Sequence, residues 1–112
     1  MSHNEKKAVA YIRVSTNGQV GDSVSLDVQA TSIKDWALKA NVQLLDIYED
    51  TGVSGTATRQ RPALQKALKL SCEEKAVFVV HSLSRVSRSV EEIQQITDML
   101  KEAGADIVSL SD

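Results

Sequence analysis

An open, mostly parallel α/β sheet with helices on both faces is the fold class the sequence predicts, and three observations predict it. Short apolar runs alternate with amphipathic stretches along the chain in the order β-α-β-α-β-α-β. The connections are short, polar and marked by glycine, serine or proline. The apolar runs are nearly continuous, as in strands covered on both faces.

Lys7 to Val14 (KAVAYIRV) reads as the first buried strand, and the polar, glycine-bearing stretch Ser15 to Ser25 as the loop after it. From Leu26 to Ala40 the residues Ile33, Trp36, Ala37 and Ala40 recur at helical spacing, with Ser23 or Ser25 as amino-terminal cap. Val42 to Tyr48 (VQLLDIY) is the second strand, and Glu49 to Arg61 a polar loop holding Gly52 and Gly55. Pro62 suits the first position of a short second helix with a stripe of Leu64, Ala67 and Leu68, followed by a polar stretch, Ser71 to Lys75. Ala76 to Val80 (AVFVV) is the most apolar run and is expected at the centre of the sheet. Ser89-Val-Glu-Glu92 has the form of a capping box, with Glu92 reaching back to the Ser89 amide. Val90, Ile93, Ile96 or Thr97, Leu100 and Ala103 give the third helix its buried face, Gly104 ends it, and Ala105 to Leu110 is the fourth strand. Residues 1–6 are expected to be disordered and 7–112 to form one domain.

Composition narrows the function classes. The chain has 112 residues, 42% hydrophobic and 25% charged, enough to bury roughly two-thirds of the surface its unfolded form exposes. Cys72 is the only cysteine, which excludes an internal disulfide framework and a cysteine zinc cage. No apolar run approaches a membrane helix and the start lacks the apolar stretch of a signal peptide, so a cytoplasmic location is expected, with no membrane partner. A net charge of -2 argues against a free-standing nucleic-acid binder.

The pattern of charge is more informative than its sum. The eight lysines are scattered, whereas all five arginines, Arg13, Arg59, Arg61, Arg85 and Arg88, fall at a strand end or in the loops after the first three strands. Ligands of open α/β sheets bind beyond those strand ends. Arg59 and Arg61 precede the second helix, and Arg85 and Arg88 the third, where cations are mildly unfavourable unless an anion joins them. The plainer alternative has Arg88 paired with Glu91 or Glu92 and Arg59 and Arg61 solvated. Ser15, two residues after Arg13, puts a primary hydroxyl beside a fixed positive charge. A hydroxyl there could attack phosphorus while guanidinium groups stabilise the developing phosphoryl charge. A serine in such a place is also a common turn or cap residue, and Ser82, Ser84, Ser87 and Ser89 compete for the role. No Gly-x-x-x-x-Gly-Lys or Gly-x-Gly-x-x-Gly loop occurs, and His3 and His81 lack partners at metal-ligand spacing, so neither metal nor cofactor is expected.

Three spaced segments resemble the catalytic domain of serine site-specific DNA recombinases, the resolvase, invertase and large integrase group. Tyr11-Ile-Arg13-Val-Ser15-Thr16 resembles the nucleophile segment, and Gln19 and the Ser-Leu-Asp-Val-Gln run ending at Gln29 agree with it. Glu49-Asp50, Val53-Ser54-Gly55 and Arg61-Pro62 resemble the second signature, and Leu83 to Ser89 the third. Ser84 departs from the family's Leu-Asp-Arg-Leu pattern, and a serine supplies no carboxylate near neutral pH.

The resemblance implies a resolvase-like parallel sheet and DNA cleavage and rejoining through a covalent 5′-phosphoserine link at Ser15. Arg13, Arg61, Arg85 and Arg88 would bind and polarise the phosphate, with Tyr11, Gln19 and Asp50 in supporting roles. It further implies double-stranded recombination sites as substrate, a homodimer and tetramer as working assembly, and no small-molecule cofactor. Family members continue past the position of Leu110 into a long oligomerisation helix and a DNA-binding domain. The 112 residues are therefore expected to be a piece of a recombinase that does not recombine DNA unaided. Two other readings stay open: a flavodoxin-like anion- or nucleotide-binding module without covalent chemistry, and a degenerate recombinase kept as a regulatory partner.

Overall fold

The computed structural model describes residues 6–14, 25–51 and 62–111. Four strands, β1 (Lys6–Val14), β2 (Val42–Thr51), β3 (Val77–Val80) and β4 (Asp106–Ser109), form one sheet in the order β2-β1-β3-β4. Every pairing is parallel. Three helices link them: α1 (Leu26–Ala40), α2 (Pro62–Glu74) and α3 (Val90–Glu102). The chain runs from β1 outward to β2, then crosses back over β1 to β3 and β4, so strand order reverses between β1 and β3. The carboxyl ends of those two strands therefore flank the crevice such sheets offer to ligands.

Alternation along β1 divides the core. Ala8, Ala10 and Ile12 meet Ile33 of α1 and Val79 on one face, the small alanines allowing α1 to approach closely. Val9 and Tyr11 face the other way, onto Leu64, Ala67 and Leu68 of α2, Phe78 and Val80 of β3, and Ile96 and Leu100 of α3. Tyr11 and Phe78 stack with ring centroids 6.3 Å apart. An irregularity in the β1–β2 register, where Ala8 pairs Leu44 but Val9 pairs Asp46, leaves Leu45 as an extra residue on the edge strand β2.

Local chemistry accounts for the helix boundaries. The Ser25 hydroxyl accepts the Val28 amide and starts α1, and Asn41 ends it in the left-handed region at φ 59°. α2 and α3 both end in Schellman turns, with Ala76 N–H donating to the Ser71 carbonyl and Ala105 N–H to the Leu100 carbonyl. Lys75 and Gly104 supply the left-handed residues, at φ 53° and 85°.

Several expectations are corrected. Lys6 opens β1 instead of closing a disordered start. β2 does not stop at Tyr48: Glu49, Asp50 and Thr51 continue it, held in register against Ile12, Arg13 and Val14. α2 runs on through Ser71 to Glu74, because the buried Ser71 hydroxyl donates to the Ala67 carbonyl within the helix and needs no water. Val90 is 83% exposed, since at about 100° per residue it lies about 80° around α3 from Leu100. Ala40 has the right angle for the buried face of α1 but stands exposed at its last residue. Only half of the expected capping box forms: the Ser89 hydroxyl accepts the Glu92 amide, but the Ser89 amide donates to Ser87 Oγ. Among the described residues, no helix is long and apolar enough to cross a membrane.

Candidate active site

Arg13 ends the buried part of β1, and Arg85 lies in the 3₁₀ turn Leu83–Arg85 that follows β3. Both are almost wholly buried, at 5% and 6% exposure, and each side chain grips the other's main chain. Arg13 Nε donates to the Arg85 carbonyl at 3.0 Å and Nη2 to the Ser84 carbonyl at 3.1 Å. In return Arg85 Nη1 donates to the Arg13 carbonyl at 3.3 Å. The exchange ties the exit of β1 to the exit of β3 across the point where strand order reverses. Main-chain carbonyls orient Arg13 here, so a side-chain carboxylate at position 84 is not required for that task. Ser84 itself is exposed and its hydroxyl lies 3.0 Å from Ser82 Oγ.

A polar side chain from α1 completes the knot. Gln29 is fully buried; its Oε1 accepts the Arg13 N–H at 3.2 Å and its Nε2 donates to the Arg13 carbonyl at 2.9 Å. The signal for Gln29 in the sequence is its position: residues 29, 33 and 37 form one stripe, and a polar residue there has to find partners.

Tyr11 and Asp50 meet on the other side of β1. Tyr11 pairs with Tyr48 in the sheet, which puts Asp50, two residues on, in diagonal reach on the same face. The Tyr11 hydroxyl donates to Asp50 Oδ2 at 2.9 Å, and Asp50 also accepts the Ala63 and Leu64 amides at 3.2 Å. Asp50 thus serves as an amino-terminal cap for α2 supplied from a strand, favourable on both hydrogen-bond and dipole grounds.

Arg88 is exposed just before α3, and among the described residues it makes no ion pair with Glu91 or Glu92; the Lys7–Glu74 bridge lies elsewhere. At the helix start that follows it, the Ser89 amide donates to Ser87 Oγ and the Glu92 amide to Ser89 Oγ. Ser15, Gln19, Arg59 and Arg61 lie outside the described residues; Ser15 follows the last residue of β1 in sequence and Arg61 precedes the first residue of α2. The structure therefore brings together Arg13, Arg85 and Gln29, and separately Tyr11 and Asp50. Among the described residues, no group of three or more His, Cys, Asp or Glu could hold a metal ion.

Residues 8–112 match the family model described as the resolvase N-terminal domain. A resolvase of Clostridium perfringens is 36% identical over 93% of this chain, which covers 49% of that protein. The serine recombinase gin of Escherichia phage Mu is 34% identical over 93% of the chain and 47% of its own length. The chain thus spans about half the length of these relatives. Among solved structures, the N-terminal catalytic domain of TP901-1 integrase superposes with a TM-score of 0.81 at 34% identity, over 94% of this chain and 78% of that one. With the sheet order, the buried arginine pair at the switch point and these matches in agreement, the chain belongs to the resolvase family, whose N-terminal domain it carries.

Proposed function

We propose that the protein cleaves and rejoins DNA strands at specific recombination sites, with Ser15 as nucleophile. The observation that carries the reading is the placement of Arg13 and Arg85 at the carboxyl ends of β1 and β3, with Ser15 two residues beyond Arg13 in a chain of the resolvase family. Ser15 Oγ loses its proton and attacks the scissile phosphorus; the bond to the 3′ oxygen breaks, that oxygen takes up a proton, and the 5′ end remains as a phosphoserine ester. Attack by a 3′ hydroxyl on the ester reverses the step, so no external energy source is needed.

Arg88 is exposed and offers a planar fork to phosphate oxygens, and Arg61 is assigned the same task. Arg13 and Arg85 commit part of their donors to main-chain carbonyls, so they shape the site as well as bringing positive charge to it. Asp50 and Tyr11 act at a distance by seating α2, directly after Arg61. Gln19 belongs to the same segment as Ser15. A homodimer that pairs into a tetramer on two double-stranded sites, with subunit rotation between cleavage and rejoining, is the assembly this chemistry implies. The test is cleavage of a nicked recombination-site duplex by the full-length protein and by its Ser15→Ala variant. Loss of cleavage in the variant with DNA binding retained supports the reading; equal cleavage by both overturns it. A wild-type protein that binds the site but never cleaves favours the regulatory alternative raised by Ser84.

A further inference from the structure

β1 outruns its inner neighbour. Its ladder with β3 ends at the Tyr11–Val80 pair, so Arg13, the next residue whose main chain points the same way, has no strand beside it there. Buried peptide groups left without partners are costly, and one side chain, Gln29, meets both the N–H and the carbonyl of Arg13. Gln29 presents a carbonyl and an N–H to the N–H and carbonyl of Arg13, as a neighbouring strand would. A carboxamide carries both functions in this form at any pH, a carboxyl only when protonated, and asparagine is one methylene shorter.

We infer that Gln29 is a positioning residue: by completing the ladder at Arg13 it fixes the direction in which the chain leaves β1, and with it the start of the segment that bears Ser15. The inference rests on the reading of Ser15 as nucleophile. Arg85 reinforces the lock by donating to the same Arg13 carbonyl, which joins the β1 exit to the turn after β3. In this role Gln29 acts through the main chain of Arg13.

Two variants and two readouts test it. Gln29→Met keeps the length and apolar bulk but removes both hydrogen bonds. In the folded variant, the Arg13 amide exchanges with solvent faster than in wild type, and cleavage of a nicked site at saturating DNA falls by about 10- to 100-fold, the penalty expected of a misplaced reacting group. Wild-type cleavage by a folded Gln29→Met protein, or unchanged protection of the Arg13 amide, overturns the inference. Should that variant not fold, Gln29→Glu decides. A protonated carboxyl offers the same donor and acceptor as the amide and an ionised one lacks the donor, so the cleavage rate relative to wild type rises as pH is lowered. A ratio that stays flat with pH overturns the inference. If wild type itself forms no covalent adduct, the Ser15 reading fails, while amide exchange at Arg13 still tests the lock by itself.

Discussion

Removing the carboxylate of Asp50 tests how the strand end and α2 hold each other. Asp50→Ala deletes three hydrogen bonds at once: from the Tyr11 hydroxyl at 2.9 Å and from the Ala63 and Leu64 amides at 3.2 Å. Loss of the cap costs about 1 kcal/mol. The lost bond from the buried Tyr11 hydroxyl to a carboxylate adds about 2 kcal/mol. Tyr11 is fully buried, so water does not restore that partner. The expected destabilisation is about 3 kcal/mol. With an unfolding entropy of about 2.1 cal/mol/K per residue, this corresponds to a fall in Tm of about 13 °C for a chain of this length. Urea unfolding of wild type, Asp50→Ala, Tyr11→Phe and the double variant separates the terms. In the Tyr11→Phe background Asp50→Ala costs less by about 1 to 2 kcal/mol, because the bond between the two side chains is already gone. A single-variant loss below about 0.5 kcal/mol, or strictly additive losses, would refute the reasoning.

Three more predictions follow from other parts of the molecule. Ser84→Ala leaves the cleavage rate within about threefold of wild type, since residue 84 holds Arg13 by its carbonyl; a drop of about tenfold, or about 1.4 kcal/mol on the barrier, would assign the hydroxyl a direct part. Leu100→Ala, at a fully buried position of α3, costs about 2 to 5 kcal/mol in urea unfolding, whereas Val90→Ser, on the exposed side, stays within about 0.5 kcal/mol; equal losses would reverse the assigned face. Burial, and then the charge of Glu73, pushes the Cys72 thiol above its ordinary range. Less thiolate is therefore present at any given pH, so iodoacetamide alkylates Cys72 more slowly than a free cysteine at pH about 8 and gains rate as the pH rises. Alkylation as fast as the free thiol would contradict this.

Patterns that depend on near neighbours were legible in the sequence. Ser25 and Ser89 are caps, and α1 starts and ends at the residues its periodicity indicates. The parallel pairing follows from the alternation of elements, because parallel strands need crossovers, whereas the order β2-β1-β3-β4 does not. What was missed depends on partners far away in the chain. Asp50 has a loop residue's propensity, yet stays in β2 because Tyr11 and two α2 amides satisfy its carboxylate. Arg13 and Arg85 were legible as cations at strand ends; their mutual grip on main-chain carbonyls was not, since it joins residues 72 positions apart. Gln29 appears in the sequence only as a polar residue on an apolar stripe, and its function emerges where β1 extends past β3.

The central claim concerns one bond. Trapping the protein on a nicked recombination site, digesting the complex and mapping the nucleotide-bearing peptide by mass spectrometry tests it most directly. The account predicts a 5′-phosphonucleotide on Ser15 and none in Ser15→Ala; attachment at any other residue, or an adduct that survives the substitution, would contradict it.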